Sequence, residues 1–204
     1  MMGYVLACVL GYLLGSSNMA LYLSRLNKVD FRSKGSGNLG ASNAAVLMGW
    51  RAGILVGVHD FGKAILAVLL ARMLFPNLEQ IGAVAGVSSV LGHIFPFYLK
   101  FRGGKGFASY LGMTLALHWK LALVVMLLVV LLTLITDYIV SGTMATIFTV
   151  PIYLGIAQKS VFLAAILFVA TAVIFCKHWE NFHRILQGTE IGLRSTIQGK
   201  NREK

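Results

Sequence analysis

From Phe162 the chain reads FLAAILFVATAVIFC before it meets a charge at Lys177, and after Lys120 it reads LALVVMLLVVLLTLIT, equally bare. A water-soluble domain has no interior in which to hide both runs. A helix needs about 17–25 mostly apolar residues to cross about 30 Å of hydrocarbon, and inside that layer no water is available to a broken backbone. The runs make this an all-α membrane protein. Composition agrees: 57% of the residues are hydrophobic and 12% charged, whereas soluble domains stay near half apolar. The same criterion predicts about seven transmembrane helices, near 2–24, 52–74, 81–100, 106–119, 120–136, 138–157 and 160–176. The fourth, 14 residues carrying Ser109, Thr114 and His118, is either a short tilted helix or a re-entrant segment. The helix is favoured, because only then do the polar loops share one side. Trp50, Trp119 and Trp179 fall at span ends, where aromatic belts belong.

A net charge of +11 invites a nucleic-acid reading, which the placement of the charges excludes. The first cation, Arg25, follows the first span, so the N-terminus is expected outside and the C-terminus in the cytoplasm. Fourteen of the 18 Lys and Arg residues then lie inside, as the positive-inside rule requires. The first apolar run lacks a basic leader and is expected to remain as a helix rather than be cleaved. Cys8 and Cys176 fall near opposite faces, too far apart for a disulfide. Residues 1–190 are expected to form one membrane domain, followed by a polar, disordered tail over 191–204.

Three polar stretches collect on the cytoplasmic side: 25–51, 100–106 and the segment after Lys177. The first contains Gly35, Ser36, Gly37, Asn38, Leu39, Gly40, Ala41, Ser42 and Asn43. Glycines let backbone N–H groups converge on an anion, while Ser36, Asn38, Ser42 and Asn43 add uncharged donors. The second, Gly103-Gly104-Lys105-Gly106, opens a span, where phosphate would meet free N–H groups, the positive end of the helix dipole and the Lys105 charge. It is not a Walker A loop, since Gly106 follows the lysine. In the third, His178 and Asn181 share a helical face; Glu180 points elsewhere and is placed to brace Arg184. Asp60 and Lys63 lie three residues apart within the second span, either as a mutually neutralising pair or as a substrate contact. His59 reads as a packing or interfacial histidine and His93 as a hydrogen-bonding one. No His/Cys/Asp/Glu cluster has metal-ligand spacing, so no metal is expected. A small transporter using Asp60 and Lys63 is the alternative from another class, but no internal repeat is visible.

In order and spacing, GSGNLGASN, DFGK, GHIFPFYLKFRGGKGFA and KHWENFHRILQGTE resemble the bacterial acyl-phosphate:glycerol-3-phosphate acyltransferases, over residues 11–190. The resemblance implies seven transmembrane helices in the bacterial inner (plasma) membrane, with the active site on the cytoplasmic face. It also implies transfer of a fatty acyl group from acyl phosphate to the 1-hydroxyl of glycerol 3-phosphate, giving lysophosphatidic acid for phospholipid synthesis. Those two substrates and membrane lipid are the expected partners; no cofactor and no nucleic acid is expected, and the chain is expected to act as a monomer. Acyl phosphate is already activated, so no Ser-His-Asp arrangement is required, and none of the five histidines is followed at plus five by Asp. By resemblance, Ser36, Asn38, Lys105, His178 and Asn181 perform catalysis, and Gly35, Gly37, Gly40, Asn43, Gly103, Gly104 and Gly106 bind substrate phosphate. Arg51, Lys63, Asp60 and Glu180 are further candidates. One position departs: the family's arginine three residues after the asparagine of its first motif is Val46 here. Losing such a charge-assisted contact costs about 1.5–3 kcal/mol. Either Arg51 reaches back, or the acceptor is a different alcohol or phosphate.

Overall fold

The structure, a computed structural model, describes residues 1–197. Among them every regular element is helical: α1 Met2–Ser16, α2 Met19–Leu26, α3 Ala41–Met48, α4 Trp50–Leu74, α5 Ile81–Ile94, α6 Phe107–Leu117, α7 Trp119–Thr136, α8 Ile139–Ala157, α9 Val161–Lys177, α10 Trp179–Leu186 and α11 Leu193–Ile197, with a 3-10 turn at Phe97–Leu99. Six segments are long and apolar enough to cross a membrane: Met2–Leu26, Trp50–Leu74, Ile81–Leu99, Trp119–Thr136, Ile139–Ala157 and Val161–Leu186. The expected fourth span is the 11-residue α6. Leu123, Val124, Leu127, Val130, Leu131 and Leu134 of α7 are exposed, an apolar face of the kind that lipid covers.

Three of the six segments are interrupted: the first at Ser17–Asn18, the third at Phe95–Pro96 and the last at His178. A helix that stops in hydrocarbon strands its last carbonyls, and here they have donors. Lys63 Nζ reaches Ser17 O at 2.7 Å and Tyr98 Oη donates to Ser16 O. Tyr12 Oη donates to Phe95 O at 2.7 Å, while the amides of Gly104 and Gly103 donate to His93 O and Ile94 O at 3.1 and 2.9 Å. His178 turns its own Nδ1 onto Ile174 O at 2.8 Å. Pro151, inside α8, cannot donate to Ile147 O; the Thr171 hydroxyl donates to it instead, at 2.6 Å. The breaks therefore lie together, at the level where α6 begins.

Small residues set the packing. Gly3, Ala7, Gly11 and Gly15 recur every four residues along α1. A Cβ on Gly11 would lie 2.2 Å from Ala85 O, and one on Gly15 would lie 2.0 Å from Ser89 O. The helices touch backbone to backbone, the close approach that small-xxx-small stripes permit in lipid. Because 11 meets 85 and 15 meets 89, α1 and α5 run parallel. A Cβ on Gly112 would likewise strike Phe61 O at 2.1 Å, holding α6 against α4. This contact explains the short α6. Ser109 Oγ bonds Asp60 O at 3.0 Å, so α6 starts beside a residue about 15 Å along α4, and at its far end Arg72 Nη1 bonds Ala116 O at 2.7 Å. It has only the remaining depth to cover. Tyr110 and Met113 carry it into the main core with Ile147, Leu154, Leu163 and Leu167.

The expectation of a disordered tail after Glu190 is corrected for residues 191–197. Gly192 packs on the Asp137 carboxylate, Leu193 N donates to Asp137 O at 2.9 Å, and Arg194 N donates to Asp137 Oδ1 at 2.8 Å. These contacts tether α11 to the α7–α8 turn; the rest of the tail, 198–204, lies outside the described residues. Cys8 and Cys176 are both free thiols.

Candidate functional site

Asn43 builds the first glycine loop. It sits on α3, 1% exposed, and its Oδ1 accepts the Ser36 N–H at 2.9 Å. Its Nδ2 donates to Phe31 O and Asn38 O, both at 3.0 Å, and to Lys34 O at 3.3 Å. Gly35, at φ +59, leaves room for that side chain: a Cβ there would lie 2.2 Å from Asn43 Oδ1. Gly40 starts α3 against the Asn38 amide. The Gly37 N–H goes to Lys34 O at 3.1 Å. Asn43→Ala removes the side-chain donor to the buried Phe31 carbonyl and to Asn38 O, and the acceptor of the Ser36 N–H. It is expected to cost about 2–4 kcal/mol locally, read as faster tryptic cleavage after Arg32 and Lys34 with the membrane helices still folded.

The second loop lies across the end of α5. A Cβ on Gly103 would lie 2.0 Å from His93 O, and one on Gly104 2.1 Å from His93 Nε2 and 2.9 Å from Leu39 O. Leu39 belongs to the first loop, so the two loops abut over His93. Gly106, at φ +91, turns the chain into α6. The amides of Ser36, Gly37, Gly103 and Gly104 all point to protein acceptors. At these four positions the N–H groups expected to form a nest are thus turned inward, and polar side chains of the two loops lie beside them. Those side chains are Ser36, Asn38 and Lys105, together with Arg32 and Arg102.

Lys105 Nζ donates to Asn181 Oδ1. The other end of that amide donates to Glu190 Oε1 at 2.6 Å, and Glu190 Oε2 accepts Arg184 Nε at 2.6 Å. Of the three expected partners, Lys105 and Asn181 are thus in direct contact, and His178, 4% exposed, lies within electrostatic reach of Lys105. Glu180 does point away, 80% exposed, and its brace on Arg184 is a loose 3.9 Å contact. The principal brace is Glu190, whose place in the tail hid it from helix-spacing rules. Burial, reinforced by Arg184, pushes the Lys105 ammonium down to about 8, against the opposing pull of Glu190 and Glu180. A lysine so placed is a desolvated cation ready for an anion that restores its charge.

Beneath the loops, Lys63 uses all three ammonium donors: Ser17 O at 2.7 Å, Asp60 Oδ1 at 2.8 Å and His93 Nδ1 at 2.8 Å. Asp60 and His93 are 2% and 4% exposed. His59 bonds Ser17 Oγ at 3.0 Å. The expected Asp60–Lys63 pair is present, but it faces helix ends and the underside of the glycine loop rather than the open site. Among the described residues no group of three His, Cys, Asp or Glu could hold a metal. Val46 is buried on α3, and Arg51, exposed at the start of α4, has no polar contact among the described residues.

A cavity of about 280 Å³ opens between the loops, lined by Arg32, Gly37, Leu39, Arg102 and Gly103. Arg32 Nη2 donates to Arg102 O across it at 2.7 Å. Neither arginine stood among the expected site residues, although an FR pair precedes each glycine loop in the sequence.

Comparison with known proteins shows the family. A family model described as glycerol-3-phosphate acyltransferase matches residues 5–188. A Coxiella burnetii glycerol-3-phosphate acyltransferase is 39% identical over 191 residues, 93% of this chain and 97% of that one. A Clostridioides difficile protein of the same name is 35% identical over 192 residues, covering 92% and 94%. The crystal structure of PlsY (YgiH), an integral membrane glycerol 3-phosphate acyltransferase in its glycerol 3-phosphate form, superposes with a TM-score of 0.88 at 31% identity, covering 96% of this chain and 98% of that one. Its lysophosphatidic acid form gives 0.84 at the same identity. With matches running through all three polar loops and the membrane helices between them, this chain belongs to the glycerol-3-phosphate acyltransferase family of integral membrane proteins.

Proposed function

We propose that this chain transfers a fatty acyl group from acyl phosphate to the 1-hydroxyl of glycerol 3-phosphate, giving lysophosphatidic acid and inorganic phosphate. The supporting observation is the contact between Lys105 and Asn181, which brings a desolvated ammonium from the start of α6 to an amide and an imidazole at the junction of α9 and α10. The point lies where membrane helices break, so a lipid-borne phosphate reaches it without leaving the bilayer. The acceptor hydroxyl attacks the acyl carbon; a C–O bond forms, the acyl–phosphate bond breaks, and the phosphate departs with the electron pair. A phosphate oxygen takes the hydroxyl proton. Lys105 offsets the charge of the departing phosphate, Asn181 and His178 orient it, and Ser36 and Asn38 offer donors from the facing loop. The glycines at 35, 37, 40, 103, 104 and 106 shape that site, and Asn43 holds it.

On this reading residues 1–190 form one unit with seven spans, α6 being the fourth, in the bacterial inner membrane. The N-terminus lies outside, the site faces the cytoplasm, and the chain works as a monomer without a cofactor. The direct test offers purified protein palmitoyl phosphate or palmitoyl-CoA with glycerol 3-phosphate. Lysophosphatidic acid from the acyl phosphate alone is the expected result. Acyl phosphate consumed without that product would mean another acceptor, and no consumption of either donor by folded protein would refute acyl transfer.

A further inference from the structure

Glu190 joins Asn181 to Arg184 beside Lys105, yet α10 holds it from one side only. Gly188, at φ +66, turns the chain back off that helix, and the amides of Thr189 and Glu190 both donate to Arg184 O, at 2.8 and 3.1 Å. Beyond Glu190 the chain leaves α10 and meets the turn between α7 and α8. We propose that Asp137, in that turn, is a positioning residue: by gripping the chain just after Glu190, it keeps the Glu190 carboxylate between Asn181 and Arg184, next to Lys105. Its consequence for turnover rests on the acyl-transfer reading above; the grip itself does not.

Within its own turn Asp137 has no need of a carboxylate. It ends α7 at φ +72, where glycine fits without strain, and its amide reaches Thr133 O at 2.8 Å whatever the side chain. The carboxylate is turned to the tail instead. Oδ1 accepts the Arg194 N–H at 2.8 Å and the Asp137 carbonyl accepts the Leu193 N–H at 2.9 Å. Gly192 lies so close that a Cβ on it would meet Oδ2 at 2.0 Å, and Arg194 Nη2 adds a bond to Leu134 O at 3.2 Å. The gripped stretch begins two residues past Glu190, within about 7 Å along the chain, so releasing it frees Glu190 to move. Both Glu190 oxygens are in use, Oε1 on Asn181 and Oε2 on Arg184, each at 2.6 Å, and Asn181 turns its own oxygen to Lys105. The charged and titratable groups facing Lys105 are His178 at the end of α9, Glu180 and Arg184 on α10, and Glu190. Of these the two glutamates favour its ammonium. With Glu190 displaced, Arg184 is opposed only by the exposed Glu180, and Lys105 loses its proton at a lower pH.

Two full-length variants open the grip from opposite sides. Asp137→Gly suits the backbone at 137 and removes the carboxylate, whereas Gly192→Val drives a side chain into it from the tail. In both, the limb of kcat/KM near pH 8 is expected to move down by roughly half a pH unit or more, with kcat/KM lowered about tenfold at that pH. Asp137→Asn, whose amide oxygen still accepts the Arg194 N–H, keeps the wild-type limb. An anchor that served the fold alone would lower yield or thermal midpoint and leave the limb in place; that result, or a limb moved upward, would overturn the assignment. Competitive acetylation of Lys105 with acetic anhydride across the pH range, read by mass spectrometry of its peptide, follows the same ammonium without turnover. The labelling midpoint is expected to fall in Asp137→Gly and Gly192→Val and to hold in Asp137→Asn, even where no lysophosphatidic acid is formed. Failure of acyl transfer is thereby separated from failure of the grip, which an unchanged midpoint in folded variants would establish. Gly192→Val alters only the tail, and it decides the matter where Asp137→Gly yields no folded protein.

Discussion

Lys105→Ala lowers kcat/KM by about 10²–10³-fold, the range seen when a preorganised donor is removed from a developing anion, and leaves the thermal midpoint within a few degrees of the wild type. The two halves of this expectation share one cause. Lys105 lies in a desolvated spot beside Arg184, which holds its ammonium down to about 8. In the proposed role its charge is a cost to the empty fold that an arriving phosphate recovers, so the loss is expected in binding and turnover rather than in stability. The pH dependence carries the same signature. Below pH 8 the free enzyme has the ammonium; as pH rises through 8 the charge is lost and kcat/KM falls. A bound phosphate favours the charged form, so the corresponding limb in kcat lies at higher pH. Lys105→Arg removes the limb near 8 because guanidinium does not titrate there, but it recovers little activity, since a planar fork cannot take the place of a point donor to Asn181. The measurement is the pH profile of both constants for wild type and the two variants.

Lys63→Met has the larger effect on the protein itself. It leaves the Asp60 carboxylate without its closest cation and the Ser17 carbonyl without its donor at a helix break. Breaking a buried pair by removing one partner costs about 3–5 kcal/mol. Low yield and a strongly lowered thermal midpoint in detergent are expected, read by fluorescence-detected gel filtration after heating. Adding Asp60→Leu restores part of the loss, because two apolar groups no longer strand a charge; recovery stays incomplete because Ser17 O is still unpaired. A Lys63 variant that folds with a normal midpoint would show that the pair is not structural, and would return weight to an ion-coupled carrier.

The difference between those two lysines was only half legible in the sequence. Spacing alone paired Lys63 with Asp60, since a three-residue step puts both on one face. Nothing local showed that Lys63 also fills the break at Ser17, 46 residues earlier; the apolar run over the first span carries no proline to announce it. Likewise the polar character of Asn43 was readable, whereas its inward turn was not. An asparagine in a glycine loop looks alike whether it binds ligand or its own backbone. Arg184 shows the limit of helix rules in another way: they nominate Glu180 at i+4, and the chain turns back after Gly188 to bring in Glu190 at 2.6 Å. The apolar runs and tryptophan boundaries were the most legible features, because the bilayer tests each residue independently of its tertiary neighbours.

The glycine face of α1 has a consequence for how this protein is made. Its backbone-deep seat is on α5, which leaves the ribosome about 80 residues later. At about 5–20 residues per second that is a wait of roughly 4–16 s. Through that interval the first inserted helix sits in lipid with Gly11 and Gly15 uncovered, a shape that lipid chains fill poorly. The parallel pair then closes around segments already in place, and only after it closes do the ends at Ser17 and Ile94 come level. The first helix thus waits for its deepest contact until α5 is made, and translation speed between residues 17 and 94 sets the length of that wait.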